Sequence, residues 1–383
     1  MKAAVWYGAR DVRVTEREVT PPGPDEVLLS VAYCGICGSD LHEYTDGPHS
    51  VPVDQVHPAS GARAPLVLGH EFCGTVTAVG SAVHGLAAGD RVAVEPHYRC
   101  GACPRCRAGE YNICRHFGFA GLMGHGGLAE YATVPSYMAH RLPDEVPLEQ
   151  AALFEPASVA LHALRRGGDA DSVAVVGLGP VGLLTVLLAA WRGVRRIVAS
   201  DVDPARLGLA ARLGATEVVD AREADAGLRV RAACGGEGAD VAFEVAGSQA
   251  ALDTCLAATR RGGRTVLVGL GRRVSFDSSA LVDNEHSITA SVGYRDTYPE
   301  LIRMVGTEGL DLRPVVTSVI ALDDVVRAGF SSLLDGGDQI KILVSPSAPP
   351  SISHSHSASA LASASEEHAP AAPAHADREG DSR

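Results

Sequence analysis

Two groups of side chains in the first 155 residues have the types and spacing for metal chemistry. Cys100, Cys103, Cys106 and Cys114 stand at C-x2-C-x2-C-x7-C, with Gly101, Pro104 and Gly109 supplying tight turns between them. Four thiolates complete a tetrahedral zinc shell and leave no open position, so such a site shapes a loop and does not react. The second group is dispersed. Cys37 lies in Cys34-Gly-Ile-Cys37-Gly-Ser39-Asp40-Leu-His42, His70 and Glu71 lie in Gly69-His70-Glu71-Phe-Cys73-Gly74, and Glu155 precedes Pro156. A thiol, an imidazole and a carboxylate can grip zinc while keeping one position for a reacting oxygen. Spacing alone leaves each member open to a blander reading, and Cys34 and Cys73 read as small buried thiols.

A third motif follows. The run Val173-Ala-Val-Val-Gly177-Leu-Gly179-Pro180-Val181-Gly182 is G-x-G-x-x-G placed directly after an apolar strand pattern and opening a helical one. In that context Gly177 permits the tight turn, Gly179 lets the backbone approach a pyrophosphate, and Gly182 lets helix and strand pack closely. Pro180 suits a first helical turn, whose N–H groups are otherwise free to face phosphates. Asp201, 24 residues beyond Gly177, closes the next strand pattern. A carboxylate there accepts hydrogen bonds from ribose hydroxyls and repels the extra phosphate of NADP, so NAD is expected. The alternative for Asp201 is a turn cap ahead of Asp203-Pro204. Arg206 is placed to contact the adenosine ribose and keeps NADP as the minority reading.

The elements that must carry these residues fall into two rhythms. Up to about 156, short alternating runs such as 26–31 and 91–94, rich in Val, Gly and Pro, predict a mainly β domain. From 157 the pattern alternates strand and helix. Strands are expected at 173–176, 196–200, 217–219, 241–244, 265–268 and 288–292, with helices at 204–213 and 249–259 between them. This alternation predicts a doubly wound parallel sheet. After 293 the chain is expected to return to the first domain and end on a strand at 340–344. The expected division is therefore 1–156 completed by 293–345, a dinucleotide domain at 157–292, and a Ser/Ala/Pro/His tail at 346–383 without the apolar content to fold.

Composition excludes several classes. A chain of 383 residues supports two cores. A formal charge of −13 argues against nucleic-acid binding. Lys2 and Lys341 are the lysines of this arginine-rich chain, which reads as composition. Nine cysteines make no even disulfide framework, and no secretory leader opens the sequence, so a reducing cytoplasm is expected. The apolar stretch 173–191 is long enough to raise the question of a membrane span. Gly177, Gly179 and Gly182 instead divide it into strand, turn and helix.

Taken together, these segments resemble the zinc-containing medium-chain alcohol and polyol dehydrogenases over residues 1 to about 345. Gly69-His70-Glu71 with Gly74 and Gly80 is similar to that family's zinc signature, and the cysteine lobe and glycine turn follow in its order. The resemblance implies a GroES-like catalytic domain with a Rossmann domain, two zinc ions per chain, NAD, and a dimer or tetramer. It implies that Cys37, His70 and Glu155 hold the catalytic zinc, with Glu71 beside it as a neighbouring or alternate ligand. It also implies a proton path through Ser39 and then His42, and a nicotinamide bordered by Val268 and Gly269. Glu155 stands where the alcohol dehydrogenase branch has a second cysteine, as in polyol and butanediol dehydrogenases. A carboxylate donates less electron density than a thiolate, and the harder ion suits substrates with a second oxygen. The insert from Asp46 to Pro65 resembles the longer loop of (R,R)-2,3-butanediol dehydrogenases. The implied substrates are butanediol and acetoin, with sorbitol-like polyols and L-threonine as alternatives on one scaffold. A reading from another class is a non-enzymatic zinc-ribbon protein.

Overall fold

The β-forming alternation of 26–31 runs further than its sequence pattern. In the computed structural model, which describes residues 1–271 and 273–346, the strand is Glu26–Gly35, with Val27, Leu29 and Val31 buried on one face. It is the centre of the first large sheet. Glu71–Val79, Tyr131–Pro135 and Lys341–Ser345 all pair with it antiparallel. Arg91–Val94 and Ala139–Arg141 extend the sheet beyond Glu71–Val79, and Val316–Ala321 extends it beyond Lys341–Ser345. The last described strand of the chain is thus hydrogen-bonded to a strand near its beginning. All but the first residue of the tail at 346–383 lies outside the described residues.

The second large sheet is parallel throughout. Its order is Glu217–Asp220, Arg196–Asp201, Ser172–Val176, Ala239–Glu244, Thr259–Leu267, Ser287–Ala290. In chain order that is 3-2-1-4-5-6, a doubly wound sheet whose direction of winding reverses beside Ser172–Val176. Ligands of such sheets bind at that reversal, outside the carboxyl ends of the strands. Val173, Ala174, Val175 and Val176 are all buried, which explains why this strand reads as a continuous apolar run and not an alternating one. The apolar continuation is the helix Pro180–Trp191, and among the described residues no helix is long and apolar enough to cross a membrane. The strands expected to reach 268 and 292 stop at Leu267 and Ala290.

The helix Phe154–Gly167 joins the two sheets. Its buried face (Phe154, Ala157, Leu161, Leu164) packs in one core with Val173 and Val175 of the parallel sheet and with Cys73, Ala93 and Leu343 of the first sheet. The first turn of this helix, which carries Glu155, is therefore fixed from both sides. At the glycine turn the fit is equally tight. Gly177 has φ +97°, and a Cβ at Gly182 would stand 1.9 Å from the carbonyl oxygen of Gly177. Backbone cannot yield as a side-chain end can, so Gly182→Ala must push the helix off the strand. We expect this variant to lose about 1–3 kcal/mol of stability and to weaken NADH binding, read together by chemical denaturation and NADH fluorescence. Unchanged values in both would show that the turn tolerates the helix shift.

Candidate metal centres and cofactor turn

Cys37 ends the extended backbone after Glu26–Gly35 and is the N-cap of the helix Gly38–Asp46. Three residues on, Asp40 folds back, and its Oδ2 accepts the Cys37 N–H at 3.0 Å. Its Oδ1 accepts the Gly69 N–H at 3.3 Å and lies 3.7 Å from Nδ1 of His70. A single fully buried carboxylate thus fixes the backbone at both residues of interest. Sequence reasoning passed over Asp40. The available signal was its place three residues after a helix-capping position.

His70 is buried at the start of Glu71–Val79, and ligand atoms of Cys37, His70 and Glu71 all lie within 4.8 Å of one another. Among the described residues Nδ1 of His70 has no hydrogen-bond partner, the Asp40 oxygen at 3.7 Å lying beyond that reach. Burial alone would lower the pKa of this imidazole, but Asp40 and Cys37 raise it well above the usual value. The pocket therefore attracts positive charge. Ser39 brings its Oγ to 3.4 Å from Nε2 of His70. His42 is exposed one helical turn further on, where its ring meets His49 at 6.3 Å.

The two glutamates differ. Both oxygens of Glu71 accept hydrogen bonds from Nζ of Lys341 at 2.7 Å, and the same ammonium donates to the Ile36 carbonyl at 2.8 Å. Lys341 and Glu71 are both fully enclosed. The lysine that reads as mere composition is thus the counter-ion of the site, a role visible only once residues 270 positions apart are paired. A Cβ at Gly35 would stand 2.0 Å from Oε2 of Glu71, so the glycine makes room for this carboxylate. Glu155 is buried nearby, outside the 4.8 Å group. Burial pushes its pKa up to about 7; Glu71 adds to the rise, and His70 and Lys341 oppose it. Among the described residues it makes no ion pair, so it is the carboxylate still lacking a cation.

The cysteine lobe is a separate group. All four sulfurs lie within 4.8 Å of one another, with Cys114 Sγ 3.5 Å from Cys100 Sγ and 4.0 Å from Cys103 Sγ. These separations are too long for a disulfide. They bracket the edge, about 3.8 Å, of a tetrahedron with zinc–sulfur bonds near 2.3 Å. Backbone N–H groups of Cys100 and His116 point at Cys114 Sγ, both at 3.3 Å, as donors do toward thiolates. The donor chemistry and spacing fit zinc at this site, and a buried imidazole within 4.8 Å of a thiol and a carboxylate fits it at the other.

At the cofactor turn, Gly179 is the N-cap and Pro180 the first residue of the helix Pro180–Trp191, with Val181 and Gly182 in its first turn. Asp201 is buried at the end of its strand, where its two oxygens accept the N–H groups of Leu178 at 2.5 Å and Asp203 at 2.9 Å. It is therefore a turn cap as well as a candidate ribose acceptor, because each carboxylate oxygen keeps a second lone pair. Arg206 turns to Asp203 at 3.5 Å. The N–H groups of Val268 and Gly269 donate to the Glu244 carbonyl, and Gly269 packs so close that a Cβ would meet the backbone nitrogen of Gly247 at 2.1 Å.

A cradle for a nucleotide that carries hydride, in the same fold as an open electrophile site, belongs to an oxidoreductase. The comparisons with known proteins name the kind. Residues 23–144 match the alcohol dehydrogenase GroES-like domain, and residues 180–307 match the zinc-binding dehydrogenase family. The chain is 38% identical to an (R,R)-butanediol dehydrogenase of Bacillus subtilis over 351 residues, 91% of this chain and 100% of that one. It is 36% identical to a sorbitol dehydrogenase of the same organism, covering 91% of this chain and 98% of the relative. The crystal structure of 2R,3R-butanediol dehydrogenase from Bacillus subtilis superposes with a TM-score of 0.85, covering 90% of this chain and 99% of that structure. The chain belongs to the zinc-binding alcohol dehydrogenase family and is a zinc-dependent, nicotinamide-linked oxidoreductase with a GroES-like and a Rossmann part. Family membership sets aside the non-enzymatic zinc-ribbon reading.

Removing one member of a buried ion pair costs more than removing both. Lys341→Met leaves Glu71 charged and enclosed, and we expect a loss of about 3–5 kcal/mol in urea unfolding of the zinc-loaded protein. Lys341→Met combined with Glu71→Gln should recover most of it. A single variant as stable as the parent would show that Glu71 finds another cation.

Proposed function

We propose that the protein interconverts a secondary alcohol of a vicinal diol and its ketone with NAD(H), with butane-2,3-diol and acetoin as the substrate pair. The observation that carries this reading is Glu155, a buried carboxylate with no ion pair among the described residues and near enough to His70 to feel its charge, where a second thiolate would give a softer ligand set. Cys37, His70 and Glu155 would hold the catalytic zinc, and Glu71, already neutralised by Lys341, would stand beside them. When bound there, zinc supplies a Lewis acid that lowers the pKa of an alcohol and polarises a ketone.

The remaining roles fall to the chain itself. Asp40 holds Cys37 and His70 in register. Half-buried Ser39 against His70, with exposed His42 one turn further along the same helix, supports a path that carries the proton of the alcohol to solvent. The turn at Gly177, Gly179 and Gly182, with Pro180 and Val181, would seat the pyrophosphate. Asp201 would accept the ribose hydroxyls and disfavour NADP, while Arg206, engaged by Asp203, would flank the adenosine. Val268 and Gly269 at the carboxyl end of Thr259–Leu267 would border the nicotinamide, and fixing ring and alcohol together removes much of the entropic cost of reaction. Cys100, Cys103, Cys106 and Cys114 would hold the structural zinc. The parts are a catalytic unit of 1–156 completed by 293–345 and a cofactor unit of 157–292.

Nine unpaired cysteines support a reducing cytoplasm. Ser287–Ala290 is an edge strand of the parallel sheet, and exposed Leu270, Phe276, Val282 and Val292 lie before and after it in the chain; these support a homo-oligomer, a dimer or tetramer. Sorbitol-like polyols and L-threonine are the alternative substrates.

Two measurements test the reading. NAD reduction with butane-2,3-diol stereoisomers, sorbitol and threonine should be fastest with a butanediol; turnover of sorbitol or threonine alone would overturn the substrate. Glu155→Ala should lose at least a hundredfold in kcat/KM, about 2.7 kcal/mol, and release one of two zinc ions measured by mass spectrometry. Retention of both zincs would assign the ligand role to Glu71.

A further inference from the structure

His97 is a buried polar side chain that the reaction described above leaves unused. It lies in the short strand His97–Tyr98, is 1% exposed, and among the described residues has no hydrogen-bond partner at either ring nitrogen. Aromatic rings enclose it, with Tyr294 at 4.1 Å, Phe119 at 4.8 Å and Phe117 at 4.9 Å between centroids. On one edge, Nδ1 stands 3.7 Å from Oε1 of Glu95, an oxygen that also lacks a partner; the other oxygen of Glu95 is taken by Nε2 of His140 at 2.8 Å. The opposite edge faces Gly293, where a Cβ would lie 3.3 Å from Cε1 and 3.4 Å from Nε2 of His97. A side chain at 293 would press on this edge of the ring.

Its position relates it to the reacting centre. The Phe119 ring that packs on His97 also meets the His70 ring edge-on at 5.6 Å. The Tyr294 ring that packs at a tilt on His97 belongs to the residue whose hydroxyl interacts with Glu155, and among the described residues that hydroxyl too lacks a well-formed hydrogen bond. His97 is thus one aromatic ring away from each of two residues of the open site. Gly293 follows Ser287–Ala290, the neighbour of the strand that leads into Val268 and Gly269. Buried polar atoms in folded proteins have partners, ordered water included, so a group of such atoms at one place is able to receive a polar group. Burial holds the His97 imidazole neutral, its pKa pushed down to about 3. A neutral imidazole has one donor and one acceptor nitrogen, which suits a hydroxyl or a ketone, and it carries no charge to neutralise a carboxylate.

We propose that His97 is a specificity residue that hydrogen-bonds the second oxygen of the substrate, the one vicinal to the carbon that is oxidised. This rests on the diol reading above. An alcohol lacking that oxygen leaves His97 unpaired, and sites built to hydrogen-bond a substrate group discriminate strongly against analogues without it.

The test compares butane-2,3-diol with 2-butanol on the zinc-loaded enzyme, for the wild type, His97→Leu and His97→Gln, with zinc content and NADH fluorescence as checks on folding. The wild type should prefer the diol. His97→Leu should lower the ratio of kcat/KM for diol over 2-butanol at least tenfold, mainly by raising KM for the diol, and His97→Gln should restore most of the ratio. If His97→Leu fails to fold, His97→Asn, which is polar but too short to span the same distance, should show the same drop. A diol preference in the wild type that survives the substitution overturns this inference alone. A wild type that prefers 2-butanol overturns the diol reading and this inference together.

Discussion

Charge compensation in a dry place is the constraint on which this molecule depends. Asp40, Glu71 and Glu155 are three buried carboxylates drawn toward one thiol and one imidazole. Isolated buried charges are prohibitively costly, so each must find hydrogen bonds or a cation. Asp40 is satisfied by backbone N–H groups and by its approach to His70. Glu71 is satisfied by Lys341. What remains is Glu155, buried near His70 and Glu71 with no ion pair among the described residues. The carboxylate that could help to hold a metal is the one that the protein's own cations leave uncompensated.

That compensation also explains the topology. Lys341 begins the last described strand, Lys341–Ser345, which pairs with Glu26–Gly35. The strand that carries the counter-ion to Glu71 is also the one that links Glu26–Gly35 to Val316–Ala321 in the first sheet. The pocket is assembled from the end of one strand, the start of another, the first turn of a joining helix and a segment from the far end of the chain. Local folding of residues 1–156 alone would place Glu71 in the interior with no ammonium beside it. The helix Phe154–Gly167 adds the second link, because one apolar core fixes it against both sheets and so sets the distance from the metal pocket to the cofactor turn. Proximity of two reactants is then a property of the core.

The two candidate metal groups contrast in how they are built. The cysteine lobe is local: four thiols within fifteen residues, turned by glycine and proline, with backbone N–H groups aimed at sulfur. Its geometry follows from a short chain segment. The Cys37 group is non-local, and the identity of its third ligand depends on which glutamate the rest of the fold has already paired. This is why the first was legible from spacing, while the second was legible only as a set of candidates and through its resemblance to a family. The same distinction holds for the cofactor turn. Gly177 to Gly182 carried its own interpretation, and a cap ahead of Asp203 was one of two sequence readings of Asp201, whereas the reach of its other oxygen to the Leu178 N–H appeared only in three dimensions.

By itself the sequence determined the order and type of the elements. Period-two and strand–helix patterns, the glycine turn and the four-cysteine spacing each depend on interactions within a few residues, and such interactions are written in local order. Strand ends shifted by a residue or two, as at Leu267 and Ala290, because hydrogen-bond ladders end where the neighbouring strand does. Only the tertiary structure decided which carboxylate is neutralised, that Lys341 is a counter-ion and no accident of composition, that Asp40 binds two loops together, and that His97 lies enclosed without a hydrogen bond among the described residues. Those facts are set by electrostatics and desolvation between residues far apart in the chain, and no local pattern encodes them.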